Sequence, residues 1–88
     1  MEVEYHKSFE RDLRRVRDRN LLARVEALLV ELESSEELDL IPNVKVMKGH
    51  PDYFRIRIGE FRLGLKRTDD GVRIIRFLSR GDIYRKFP

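Results

Sequence analysis

Cysteine is absent from this 88-residue chain. Its absence excludes a disulfide framework and a thiolate zinc site, and it makes a reducing, cytoplasmic setting the expected one. No apolar run is long enough to span a bilayer, and the N-terminus carries no secretory hydrophobic region. Internal repeats and low-complexity stretches are also missing. The basic residues are not laid out as an amphipathic helix, which argues against a membrane-surface role. What remains is one domain over residues 1–88, with room for one modest core. A core of that size without covalent or metal staples points to help from a partner.

Charge is not scarce, but it is unevenly placed. The net charge is only +3. Residues 1–44 carry 7 Lys/Arg against 11 Asp/Glu, and residues 45–88 carry 12 against 5. The C-terminal half is therefore expected to meet a polyanion or an acidic protein.

The most informative stretch is Tyr53 to Leu65. Phe54, Ile56 and Ile58 alternate with Tyr53, Arg55 and Arg57; Phe61, Leu63 and Leu65 then alternate with Arg62, Gly64 and Lys66. Period two over this length predicts two half-buried strands. Gly59-Glu60 suits a type II′ hairpin turn between them. That loop pairs Ile58 with Phe61, Arg57 with Arg62, Ile56 with Leu63, and Phe54 with Leu65. Arg57 opposite Arg62 is costly, because like charges facing each other across a ladder destabilise it. A row of guanidinium forks is instead what an anion site requires. On this pattern Arg62 faces outward and adds nothing to the core.

The rest of the chain supplies the frame. Residues 1–5 alternate as a first strand, expected beside the last one. Ser8 is the expected cap of a helix carrying Phe9, Leu13 and Val16, and Asn20 the expected cap of a second with Leu21, Leu22, Val25, Leu28, Leu29 and Leu32. The mixed charges of this hairpin, Asp12 among them, read as a solvated surface with local ion pairs. Residues 34–52 read as a linker in which Val44 and Met47 seal the core edge and His50, before Pro51, sits in an extended turn. Asp69-Asp70-Gly71 predicts a three-residue hairpin loop with glycine at a positive φ. That loop would pair Leu65 with Ile75 and Leu63 with Phe77, and set Arg76 beside Gly64 on the basic face. Gly64 allows either plain sheet variation or a close approach. Ile83 and Phe87 are spaced to dock as one helical turn, with Arg80 and Tyr84 on its other side.

The expected fold is α+β. A small antiparallel sheet in β-α-α-β-β-β order, with residues 53–58, 60–68 and 72–78 as a meander, carries a helical hairpin on one face. Its expected core is Phe9, Leu13, Leu22, Val25, Leu29, Ile56, Ile58, Leu63, Leu65, Ile75 and Phe77.

Tyr53-Phe-Arg-Ile-Arg-Ile-Gly-Glu-Phe-Arg62, preceded by Lys48-Gly-His-Pro51 and followed by Arg80-Gly-Asp-Ile-Tyr84, resembles the RelE/ParE superfamily of toxins from bacterial toxin–antitoxin pairs. The resemblance covers essentially the whole chain. Its RelE-like branch implies a cytoplasmic endoribonuclease that cleaves mRNA in the ribosomal A site and arrests translation. No metal or cofactor is implied: a 2′-hydroxyl attacks the adjacent phosphate and leaves a 2′,3′-cyclic end. Carried over, Arg55 and Arg57 bind phosphate and act on the 2′-hydroxyl, and Arg62 neutralises the phosphorane. Arg80 then helps the leaving group, and Tyr84 stacks on a base. Lys45, Lys48, Arg76 and Arg85 are candidate RNA contacts. The implied partners are a cognate antitoxin, the ribosome and mRNA, with no membrane.

Two departures bear on the chemistry. Many relatives carry lysine at the positions of Arg55 and Arg57, and close relatives often carry histidine at the position of Ser79. Arginine stays protonated in proteins and is a poor base, so the general base is left unassigned. Two other functions stay open: a ParE-like gyrase inhibitor without its own catalysis, and a degenerate toxin that only binds its antitoxin or nucleic acid.

Overall fold

A computed structural model describes residues 1–88. The chain runs β1 (Glu2–Tyr5), α1 (Lys7–Arg14), α2 (Arg19–Ser34), a 3-10 turn (Leu38–Leu40), β2 (Val44–Met47), β3 (His50–Ile58), β4 (Phe61–Arg67), β5 (Gly71–Ser79) and α3 (Arg80–Lys86). The strands form one sheet in the order β1-β5-β4-β3-β2. β1 lies parallel to β5, the expected neighbour, and the other pairings are antiparallel. The α+β meander with a helical hairpin is as expected. The sheet is one strand wider, because Val44–Met47 pairs with β3 instead of passing as linker.

The β3–β4 hairpin keeps the register that alternation dictates, with Ile56 opposite Leu63 and Arg57 opposite Arg62. Gly59 has φ +58 while Glu60 stays at negative φ. That is the II′ pattern, since I′ needs both residues positive. On one face Phe54, Ile56, Ile58, Leu63, Leu65, Val72, Ile74 and Phe77 are buried with Phe9, Val25 and Leu32 of the helices and Leu38 and Ile41 beyond them. Leu13 and Leu29 pack against this core half-buried, and Leu22 is only half-buried.

The opposite face carries a second, smaller cluster. Ile83 and Phe87, from α3 and its cap, pack with Met47, and Tyr53, Ile75 and Leu78 close around them. Ile75 was expected in the main core. A bulge between Gly64 and Leu65 in the β4–β5 ladder pairs Leu65 with Ile74 and leaves Ile75 on the α3 side. Gly64 is where that side packs tightest. A Cβ there would lie 2.9 Å from the Phe87 ring, so the close approach is made by the chain's own tail.

Three local expectations are corrected. α1 is capped by His6, whose ring nitrogen accepts from Ser8 N–H; the Ser8 hydroxyl is spent on the carbonyl of Ile75, tying α1 to β5. α2 is capped by Asp18, whose carboxylate accepts from Asn20 and Leu21 N–H at 2.9 and 3.1 Å. A carboxylate also suits the positive end of the helix dipole better than the Asn20 amide. Gly71 opens β5 without a positive φ. Its missing Cβ is required because Glu2 of β1 passes so close that the carbonyl would lie 1.9 Å away.

Candidate nucleic-acid interface

The α3 face of the sheet is built in rows. Lys45, Arg55 and Gly64 stand across from one another on β2, β3 and β4, and Arg57, Arg62 and Leu78 form the next row. α3 begins beside that second row, because Arg80 N–H donates to Glu60 O in the β3–β4 turn at 2.8 Å. Ser79 caps the helix by accepting from Asp82 N–H. With Ile83 and Phe87 turned into the sheet, Tyr84 is turned out and is 54% exposed. The Arg55 guanidinium sits 5.7 Å from the centre of its ring. Arginine stacked on an aromatic face is held flat without a carboxylate partner.

Arg62 is not displayed as alternation implied. It lies on β4, the central strand, with a strand on each side, and it is only 8% exposed. Its Nη1 donates to the carbonyls of Gly59 and Phe61 at 2.9 and 3.0 Å, and its buried Nε has no protein acceptor. Carbonyl dipoles fix the guanidinium but do not neutralise it. A buried cation without a carboxylate is costly for the fold.

Arg76 is the other correction. It pairs with Gly64 in register, but its guanidinium is gripped by Asp12 of α1 through two bonds of 2.7 and 3.1 Å. Asp12 is 3% exposed and also accepts from Phe77 N–H, so this is a buried clamp rather than a solvated helix charge. Arg85 bonds Asp82, and that bond comes first among the causes holding the Asp82 carboxyl below its ordinary range. Lys45, Lys48, Arg55, Arg57, Arg62 and Arg80 have no carboxylate at ion-pair distance.

A groove of about 340 Å³ runs between β2 and α3. It is lined by Lys45, Lys48, His50, Arg55 and Tyr84, with Val46, Met47, Phe87 and Pro88. No carboxylate side chain lines it. His50 opens β3 instead of resting in a separate turn, and its ring meets Tyr53 edge-on at 5.9 Å. No cluster of three or more His, Asp or Glu side chains is arranged to hold a metal, and no helix is long and apolar enough to cross a membrane. The structure thus gathers Lys45, Lys48, Arg55 and Tyr84 at one groove, sets Arg57, Arg62 and Arg80 beside it, and takes Arg76 away. The sequence reading missed Asp12 as a structural clamp between α1 and β5; its spacing from Phe9 and Leu13 on the inner face of α1 was the available signal.

A mixed sheet with a helical hairpin on one face, and an arginine row with a short C-terminal helix on the other, is the frame of the small toxins of toxin–antitoxin pairs. Residues 3–84 match the model of the ParE toxin of type II toxin–antitoxin system, parDE, and the chain belongs to that family. It is a toxin of a type II toxin–antitoxin system. The chain is similar to Toxin RelE3 of Methanocaldococcus jannaschii, 35% identical over 89 residues, with 100% of both chains covered. It is similar in structure to the RelB–RelE antitoxin–toxin complex from Methanococcus jannaschii, with TM-score 0.82 and 32% identity, covering 97% of this chain and 99% of that one. The YoeB–YefM complex from Staphylococcus aureus has the same fold, with TM-score 0.68 at 16% identity, covering 89% and 94%.

Proposed function

We propose that this toxin is a cytoplasmic endoribonuclease that cuts mRNA on the ribosome and is held inactive by a cognate antitoxin. The observation that carries this reading is Arg62, a buried, immobilised guanidinium with no carboxylate of its own. A fold bears that cost where an anion must be met by a charge already in position. The roles are those that the resemblance implies. Arg55 and Arg57 hold the phosphate and orient the 2′-hydroxyl, and Arg62 faces the charge that grows on the phosphorane. Arg80, at the start of α3, serves the departing 5′ oxygen. Tyr84, exposed and backed by Arg55, stacks on a base. Lys45 and Lys48 extend the phosphate track, and Arg85 contributes only when it leaves Asp82. Arg76 has no part in it. The RelE relative is crystallised with its antitoxin RelB, and a partner of that kind fits the unpaired cations of this face.

A second reading has one observation in its favour: the matched family model is the ParE one. On that reading the toxin binds gyrase and does no chemistry. Purified toxin added to programmed ribosomes separates the two. A-site cleavage is expected, and intact mRNA with trapped gyrase–DNA complexes would favour the alternative. Arg62→Lys keeps the charge and loses the fork, so cleavage should fall ~100-fold or more while ribosome binding falls far less. Because Arg62 is buried, each variant must first be shown folded by circular dichroism. Tyr84→Ala should cost ~1–3 kcal/mol of stacking and blur codon preference.

A further inference from the structure

The end of α1 and the turn into α2 carry Arg11, Arg14, Arg15, Arg17 and Arg19, and Arg24 follows on α2. The local ion pairs expected there do not form. The ion pairs of the fold are Arg73 with Glu4, Arg76 with Asp12 and Arg85 with Asp82, and none takes an arginine of this stretch. Both aspartates within it are committed, Asp12 to Arg76 and Asp18 to the N–H groups of Asn20 and Leu21. The dipole of α1 favours Arg11 and Arg14 in its last turn, so these two have a structural reason. Arg17 and Arg19 have none. They flank the N-cap of α2, where the dipole disfavours cations and the first turn holds no acidic residue. No lysine occurs between Ser8 and Val44, so every cation here is the one suited to forked phosphate contacts.

Two contacts join this patch to the arginine row of the sheet. A hollow of about 400 Å³ between the α1–α2 turn and α3 is lined by Arg15, Arg17 and Lys86, with Ser79, the cap that precedes Arg80. The Asp18 and Asp82 carboxylates at its wall are those already bonded to α2 and to Arg85. On the other side, Arg24 Nη1 lies 3.1 Å from where a Cβ of Gly59 would be, against the turn whose carbonyl holds Arg62. Negative charge gathers at the far end of β4. Phe61, the first residue of β4, borders the arginine hollow, and Arg67, the last, borders one lined by Glu36, Glu37, Asp39, Asp69 and Asp70.

We propose that the α1–α2 turn is a second RNA surface, which grips the phosphate backbone of double-helical ribosomal RNA while the groove beside α3 holds the mRNA. The exposed large apolar side chains, Tyr5, Val30, Leu40, Val46 and Tyr84, all lie outside residues 11–24. A protein partner would need such an anchor, and a single strand would need a ring to stack on. A duplex backbone needs neither. The acidic end is repelled by the same RNA, so the toxin meets the ribosome in one orientation. The inference rests on the endoribonuclease reading and adds to it a docking surface that takes no part in the chemistry.

The test compares the parent with two triple variants, Arg15→Gln/Arg17→Gln/Arg19→Gln and Arg15→Lys/Arg17→Lys/Arg19→Lys, each shown folded by circular dichroism. Binding is titrated against salt on programmed ribosomes, on a blunt RNA duplex of about 16 base pairs and on a single-stranded RNA oligomer. The glutamine variant should bind ribosomes and duplex ~10-fold or more weakly, with the slope of log K against log salt reduced by ~2–3. It should bind the single strand like the parent and cut at the parent rate once ribosomes are saturated with toxin. The lysine variant should keep most of the salt slope, because the charge stays. Unchanged ribosome affinity and slope in the glutamine variant overturn the inference; a loss confined to a polyglutamate probe assigns the patch to an acidic protein instead. A slower rate at saturation also overturns it, by making the patch part of the chemistry. A parent that cuts nothing while the duplex difference persists overturns the endoribonuclease reading alone.

Discussion

Replacing Asp12 with alanine tests the clamp between α1 and β5. The carboxylate is 3% exposed and meets Arg76 Nε at 2.7 Å, Arg76 Nη2 at 3.1 Å and Phe77 N–H at 3.0 Å. Removing it strands a guanidinium whose side chain is only 18% exposed and leaves a buried N–H unpaired. Loss of one member of a buried pair costs ~3–5 kcal/mol; the partial exposure of Arg76 argues for the lower end, about 3. A domain of 88 residues has ~4–13 kcal/mol in all, so a quarter or more of the stability goes. Urea unfolding followed by circular dichroism should show a lower midpoint at unchanged slope. Melting should drop by ~12 °C or more. Arg76→Ala should also destabilise, without changing the salt dependence of ribosome binding, because Arg76 serves α1 and not the ligand. An Asp12→Ala toxin within ~0.5 kcal/mol of the parent would refute the reasoning.

Two further outcomes follow from local geometry. Gly64→Ala should push Phe87 off the sheet, at ~1–3 kcal/mol, and combining it with Phe87→Ala should cost less than the two separately; strict additivity in the double-mutant cycle would remove the contact from consideration. Tyr5 hydrogen-bonds Glu33 at 2.8 Å, and burial first, then that bond and the carboxylate charge, push its phenol up from 10.0 to about 12. The folded state therefore holds a proton that the unfolded chain releases near pH 10. This contribution is fully present below that pH and is lost as pH rises toward 12. In ultraviolet titration one of the three tyrosines should ionise late, and Glu33→Gln should bring it only part of the way back, since burial stays; a titration unmoved by that change would break the assignment.

The β3–β4 hairpin was legible because two signals agree: alternation on both strands and a Gly-X loop of fixed length fix every pair. β5 was legible only as a strand. Ile74 and Ile75 are adjacent and equally apolar, so alternation accepts either one facing the core. The bulge beside Gly64 decides for Ile74, and nothing local announces a bulge. Val44–Met47 failed for a different reason. Four residues carry too little period to separate a strand from a linker with two anchors, and only pairing with β3 makes them a strand. The helix caps failed by tertiary competition. Ser8 is a better cap than His6 in isolation, but the fold has another use for its hydroxyl.

For the site, alternation reports which side a residue points to and not what it finds there. Arg55, Arg57, Arg62 and Arg76 look equivalent on the page, and the fold makes them four different things. Arg55 lies against an aromatic ring, Arg57 is exposed, Arg62 is locked by carbonyls in the central strand, and Arg76 is neutralised by a carboxylate sixty-four residues away. Counting cations would have assigned all four to RNA. Asking what each cation is bonded to removes one and promotes another. The unpaired, immobile Arg62 is the cation best suited to transition-state charge, because its cost is already met by folding and little reorganisation is left for the reaction. Arg57 and Arg80, free in solvent, must still be ordered when RNA binds. Chemistry should therefore depend most on the arginine that is least visible from outside, and affinity on those that are most exposed.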